Sequence, residues 1–232
     1  MYQRSLEEDI ADETSGHFKK LLLLLLQTKR DPDGEVDPEA VAADVKALYK
    51  AGEKKLGTDE KVFTSILSSR SYVHLRAVFD KYQEERGKTF ERVVKSEFSG
   101  DIEDALLAVI RVINNRTEFY AGLLHKAIDG LGTKDALLIR IIVSRLEKDI
   151  EEIKCAYQDL YGKSLYDDVA GDTSGNYRKS LLKLIRRDKG KKGTATTNEQ
   201  EHQQQESKTE DDKLIDSEKK ADDDDDKDKD KE

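Results

Sequence analysis

At 232 residues the chain can bury one sizeable core or two smaller ones, and 39% charged residues with a mean hydropathy of -0.79 are too polar for one uniform globule. A formal charge of -9 argues against a nucleic-acid binder, which needs clustered Lys and Arg, but leaves room for a membrane partner reached through a bound cation. Cys155 is the single cysteine, so no intrachain disulfide can form, as suits a reducing compartment.

Taken in order, Met1–Ser5 lacks the apolar stretch behind a basic start that marks a signal peptide. Leu21–Leu26 is the most apolar segment, yet it is far shorter than the roughly 20 residues a spanning helix needs, so a fully buried helix is expected. Asp37-Pro38 is an N-cap followed by proline at the first helical position, opening a helix to about Lys50. Thr58 is the expected cap of the next helix, which ends near Arg70, as Thr133 caps one ending near Arg145. A third helix carries Leu75, Val78, Phe79 and Tyr82 on one face and stops at Gly87. A fourth spans roughly Thr89–Glu97, and a fifth follows Ser99-Gly100 with Leu106, Val109, Ile110 and Ile113 on its apolar side.

The same pattern then recurs. Leu56-Gly57-Thr58 returns as Leu131-Gly132-Thr133, Ser69-Arg70 as Ser144-Arg145, Gly87-Lys88 as Gly162-Lys163 and Ser99-Gly100 as Ser174-Gly175, always 75 residues later. A partial copy precedes them, since Glu13-Thr14-Ser15-Gly16 resembles Asp172-Thr173-Ser174-Gly175. The expected organisation is therefore all-α: a partial unit over 1–30, five-helix units over 31–113 and 114–187, and a tail over 188–232. Such units stack because one alone cannot cover its apolar faces. The front half of the partial unit would lie upstream of Met1, so the chain reads as truncated. The face left bare would invite self-association or a protein partner. The tail alternates charges without apolar anchors and reads as disordered. Its Asp222–Lys227 stretch admits a calcium-binding acidic strip or a tag-like sequence beside the plainer reading of a solubilising or regulatory tail.

The chemistry lies in a glycine-bearing loop paired with one distant acid. In one unit the loop is Gly52–Thr58 and the acid Glu97; in the other the loop is Ile128–Thr133 and the acid Asp172. Each acid lies 40 residues after its loop glycine, Gly57 or Gly132. Glycines let carbonyl oxygens converge on one point, and calcium takes six to eight oxygens, carbonyls and bidentate carboxylates among them. A single carboxylate leaves such a site positive and incompletely filled, so an anionic headgroup oxygen would complete it. Neither loop has the contiguous acids of an EF-hand or the Gly-Lys-Ser/Thr ending of a P-loop.

Gly130-Leu131-Gly132-Thr133 with Gly171–Gly175, Lys55–Asp59 with Glu97–Gly100, Leu75–Tyr82 and Leu25–Asp31 resemble annexin core repeats, and the resemblance covers residues 1–187. It implies five-helix repeats stacked in a curved disc and calcium-dependent docking, without catalysis, on phosphatidylserine-like acidic membranes. The chain would be cytoplasmic and reversibly at plasma or vesicle membranes. It further implies one calcium site from the carbonyls of Ile128, Gly130 and Gly132 with the Asp172 carboxylate. A second would use the carbonyls of Gly52, Lys55 and Gly57 with the Glu97 carboxylate. Glu13 would hold the acid position of a vestigial site, and Leu56 and Leu131 would dip into the bilayer. The sequence departs from the usual family pattern at Asp129, Lys134 and Phe98.

Among other conspicuous residues, Arg70 and Arg145 are expected to pair with carboxylates or helix carbonyls. His17, His74, His125 and His202 do not cluster at metal-ligand spacing, and no Ser/His/Asp or paired-carboxylate arrangement stands out. The competing reading is a calcium-independent scaffold that recruits proteins through its charged tail.

Overall fold

The structure, a computed structural model, describes residues 4–130 and 132–186. Leu131 and the predicted tail over 188–232, with His202, lie outside the described residues. The described residues form helices and connections without strands: α1 (Leu6–Glu13), α2 (Gly16–Gln27), α3 (Pro38–Ala51), α4 (Glu60–Ser69), α5 (Tyr72–Arg86), α6 (Phe90–Glu97), α7 (Asp101–Asn114), α8 (Arg116–Ile128), α9 (Asp135–Arg145), α10 (Ile150–Tyr161), α11 (Leu165–Asp172) and α12 (Gly175–Ile185).

The helix ends follow local chemistry. Ser5 and Glu8 close a reciprocal capping box on α1, and Asp37 accepts the Glu39 backbone N–H at 2.9 Å to start α3. Ser71, Thr89, Asn115 and Ser164 cap α5, α6, α8 and α11 in the same way. Gly87 and Gly162 end α5 and α10 in the left-handed conformation, at φ +68° and +70°, which glycine adopts without steric cost. Thr58 and Thr133 do not cap. The helices after them begin later, behind Asp59 and Lys134, and both threonine hydroxyls are engaged elsewhere.

Two apolar clusters carry the packing. The first takes Leu21 and residues from Val41 to Ile113; the second runs from Ala121 to Ile185. Within them α3 packs on α5 and α8 on α10, while α2 packs on α1, α4 and α7. An aromatic stack, Phe63–Phe90–Phe79 with Phe98 edge-on to Phe63 at 5.1 Å, fills the first cluster beneath the loop after α3. The leucine run is only partly interior. Leu21 alone is fully buried, and Leu25 and Leu26 are exposed, because a helix packed along one side leaves the opposite flank open. No described helix is long and apolar enough to cross a membrane.

Arg70 and Arg145 do meet carboxylates, by different routes. Arg70 reaches across to buried Asp44, with Nε–Oδ2 at 2.8 Å, where His74 Nε2 also lies 2.9 Å away. In the second unit α8 brings Tyr120, its ring 4.7 Å from the Arg145 guanidinium, rather than an acid, and Asp149 stands 75 residues after His74, so Arg145 binds Asp149 one turn along instead, at 2.6 Å from Nε, joined by Arg116 at 2.8 Å. Those Arg145 hydrogen bonds, helped by Arg116, hold the Asp149 carboxyl below the usual carboxylate range.

Candidate metal centres

Each candidate acid is the last residue of a short helix, Glu97 on α6 and Asp172 on α11. Each glycine loop leaves the end of a longer helix, α3 for the first and α8 for the second, and leads into α4 or α9. In both units the fold brings loop and acid into contact. Thr58 Oγ1 donates to Glu97 Oε2 at 2.6 Å, and Thr133 Oγ1 donates to Asp172 Oδ2 at 2.6 Å. Each hydroxyl also lies 3.3 Å from the backbone carbonyl of the same acid. One carboxylate oxygen is thereby anchored to the loop in each case.

Gly52 shows how close the approach is. A Cβ there would stand 3.1 Å from Glu97 Cδ and 3.2 Å from Phe63 Cζ, closer than ordinary contact, so the backbone packs directly against the acid. Gly57 and Gly132, at φ +81° and +86°, turn the chain back through the left-handed region toward Thr58 and Thr133. Leu56 is fully exposed on its loop, and the Gly52 carbonyl accepts a 3.0 Å bond from Lys55 N.

The loops are alike but not superimposable residue for residue. Asp59 N donates to the Ala51 carbonyl at 2.7 Å, whereas Lys134 N donates to the Ala127 carbonyl at 2.8 Å. At the offset of 75, Ala51 corresponds to Lys126, so the second loop is closed one residue later. The residue after each closing carbonyl is Gly52 in one loop and Ile128 in the other. Those residues head the two expected ligand sets, and the shift of closure accounts for their shift in register.

Neighbouring charges are committed to structure. The Glu53 carboxylate pairs with Lys88 and accepts the Tyr82 hydroxyl at 2.8 Å, and these contacts, Lys88 foremost, hold it below the usual carboxylate range. Asp129 is exposed and stands 3.6 Å from His125 Nε2. Phe98, where the other unit has Thr173, is buried against Phe63, while Thr173 turns its hydroxyl to the Val169 carbonyl at 2.5 Å. Glu13 ends α1 at the surface, as Glu97 and Asp172 end their helices. Among the described residues no group of three or more His, Cys, Asp or Glu side chains gathers as a metal site. Either centre would therefore have to take most of its oxygens from the backbone, which these glycine loops can supply. The threonine contacts were not anticipated. Their one sequence signal is that Thr58 and Thr133 each precede their acid by 39 residues.

Compared with known proteins, the chain matches the annexin family at residues 1–25, 43–109 and 119–184, more than half its length. The chain belongs to the annexin family. It is 51% identical over 183 residues to mouse Annexin A11, a match covering 79% of this chain and 36% of that protein. Its fold is similar to that of Annexin III, with a TM-score of 0.78 and 43% identity across 81% of this chain and 58% of the other. A calcium-bound annexin (Sm)1 is similar at a TM-score of 0.70 and 34% identity, over 82% and 56% of the two chains. The chain thus spans about a third to three-fifths of the length of these relatives. Annexins as a family bind phospholipid in a calcium-dependent way.

Proposed function

We propose that this annexin chain docks on acidic phospholipid membranes when calcium occupies both loop centres. The observation that carries the reading is the repeated contact between a threonine-anchored acid and a glycine loop, made twice with equal geometry. In the second centre the carbonyls of Ile128, Gly130 and Gly132 and the Asp172 carboxylate would hold the ion; in the first, the carbonyls of Gly52, Lys55 and Gly57 and the Glu97 carboxylate. Three carbonyls and a bidentate carboxylate supply five of the six to eight oxygens calcium takes. Bound calcium supplies a positive centre with coordination left for a phosphoryl or carboxyl oxygen of a phosphatidylserine-like headgroup.

The protein's own part is to present that centre at the surface. Thr58 and Thr133 orient the acids, the glycines bring backbone oxygens toward them, and exposed Leu56 offers an apolar tip to the bilayer interface, a membrane-contacting role also assigned to Leu131 from the sequence. Glu13 is assigned to a vestigial position. The repeats run over 31–113 and 114–187 behind a partial repeat at 1–30, and the chain is placed in the cytoplasm, reversibly at plasma or vesicle membranes, acting by binding rather than catalysis.

Co-sedimentation with phosphatidylserine vesicles tests the reading. The chain is expected to pellet with calcium and to return to the supernatant with a chelator. Equal pelleting under both conditions would favour a calcium-independent role.

A further inference from the structure

We propose that Glu53 is a positioning residue of the first centre: gripped by Tyr82 and Lys88, it holds the glycine loop in its binding shape before calcium arrives. The second loop lacks that grip. This role rests on the two calcium centres proposed above and sets them apart. The same two side chains serve both units at the 75-residue offset. Tyr82 and Tyr157 are fully buried, and Lys88 and Lys163 follow the glycines that end α5 and α10. In the first unit both reach the loop, Tyr82 donating to Glu53 Oε2 at 2.8 Å and Lys88 pairing with Glu53 Oε1. In the second unit both reach a helix instead. Tyr157 donates to Asp168 Oδ2 on α11 at 2.7 Å, and Lys163 lies 3.8 Å from Asp168 Oδ1. At the place of Asp168 the first unit has Val93, a buried apolar residue that can accept no hydrogen bond. The Tyr157 hydroxyl also meets His125 of α8 at 3.2 Å.

Counted from the carbonyl that closes each loop, Ala51 or Ala127, Glu53 and Asp129 hold the same place. Their surroundings differ. The Glu53 side chain is 15% exposed and tied to the end of α5 and the corner beyond it. The Asp129 side chain is 75% exposed, and its ion-pair contact is to His125, on the helix that its own loop leaves. Glu53 directly follows Gly52, whose carbonyl is an expected ligand, so holding one residue holds the other. A loop already fixed loses less freedom when the ion binds. Glu53 acts through this position rather than through its charge, because Lys88 is paired with the same carboxylate.

The test uses the full chain. Tyr82→Phe loosens the grip while keeping the Glu53 charge, and Tyr157→Phe is its matched control, since each deletes one buried hydroxyl bond to a carboxylate. Calorimetric titration of calcium with phosphatidylserine vesicles reads the first centre alone in an Asp172→Asn background and the second alone in a Glu97→Gln background. Tyr82→Phe is expected to weaken the first centre about tenfold, as loss of a support behind a ligand does, and Tyr157→Phe to leave the second within about twofold. A second readout needs no calcium. In chelator, Tyr82→Phe is expected to speed amide hydrogen exchange at Lys54 and Lys55, whose N–H groups donate to the Tyr49 and Gly52 carbonyls. A first-centre affinity that falls no further than the second's, or unchanged exchange at those amides, would overturn the role of Glu53 and leave the centres standing. Backgrounds that take up no calcium at all would overturn the centres and this role together.

Discussion

Changing both loop acids, Asp172→Asn together with Glu97→Gln, is expected to abolish calcium-dependent pelleting on phosphatidylserine vesicles while leaving the helical circular dichroism unchanged. Each amide keeps an oxygen that can accept the Thr58 or Thr133 hydroxyl, so the contact tying acid to loop survives. What disappears is the one negative charge facing the bound cation in each centre. Loss of a partner that merely supports a ligand typically costs about 10–100-fold in metal affinity, and removal of the only direct carboxylate should cost at least as much. Each single variant is expected to retain partial binding through the other centre. Wild-type pelleting by the double variant would mean the ions bind elsewhere.

The second large effect is expected at Phe63. Its ring is fully buried, stacks near Phe90, receives the edge of Phe98 and lies directly beneath Gly52. Phe63→Ala leaves a cavity under the first loop and should destabilise the fold by about 3–5 kcal/mol, read from the urea midpoint at unchanged slope. The same variant should weaken calcium binding at the first centre more than at the second, because Gly52 packs on that ring and Phe98, the residue after Glu97, meets it edge-on. A loss below about 1 kcal/mol would show that the aromatic stack repacks around the deletion.

Much of the helical layout was legible because periodic apolar faces, proline and N-cap side chains and left-handed glycines act over a few residues, and because the repeat states each signal twice. Gly87 and Gly162 stop α5 and α10 where a glycine C-cap predicts. Contacts across tens of residues were less legible. A threonine before a helix reads as a cap, yet Thr58 and Thr133 serve the acids instead, a preference set by where α6 and α11 end in space. The leucines of α2 read as interior from composition alone, but which flank is covered depends on neighbours that periodicity does not reveal. Arg70 and Arg145 are expected to pair with carboxylates or helix carbonyls, and both pair with carboxylates. The carboxylate changed from Asp44 to Asp149 because α8, shifted by one residue, brings the Tyr120 ring rather than an acid to Arg145. The one-residue difference in loop closure was likewise hidden, since the fixed offset pairs Gly52 with Ala127 rather than with Ile128.

The most direct measurement is calorimetric titration of calcium into the full chain, alone and then with vesicles containing phosphatidylserine. Two centres that use five protein oxygens and borrow the rest from lipid predict weak binding in solution and two ions per chain bound at least about tenfold more tightly with vesicles. Equal affinity with and without acidic lipid would contradict a headgroup completing the coordination.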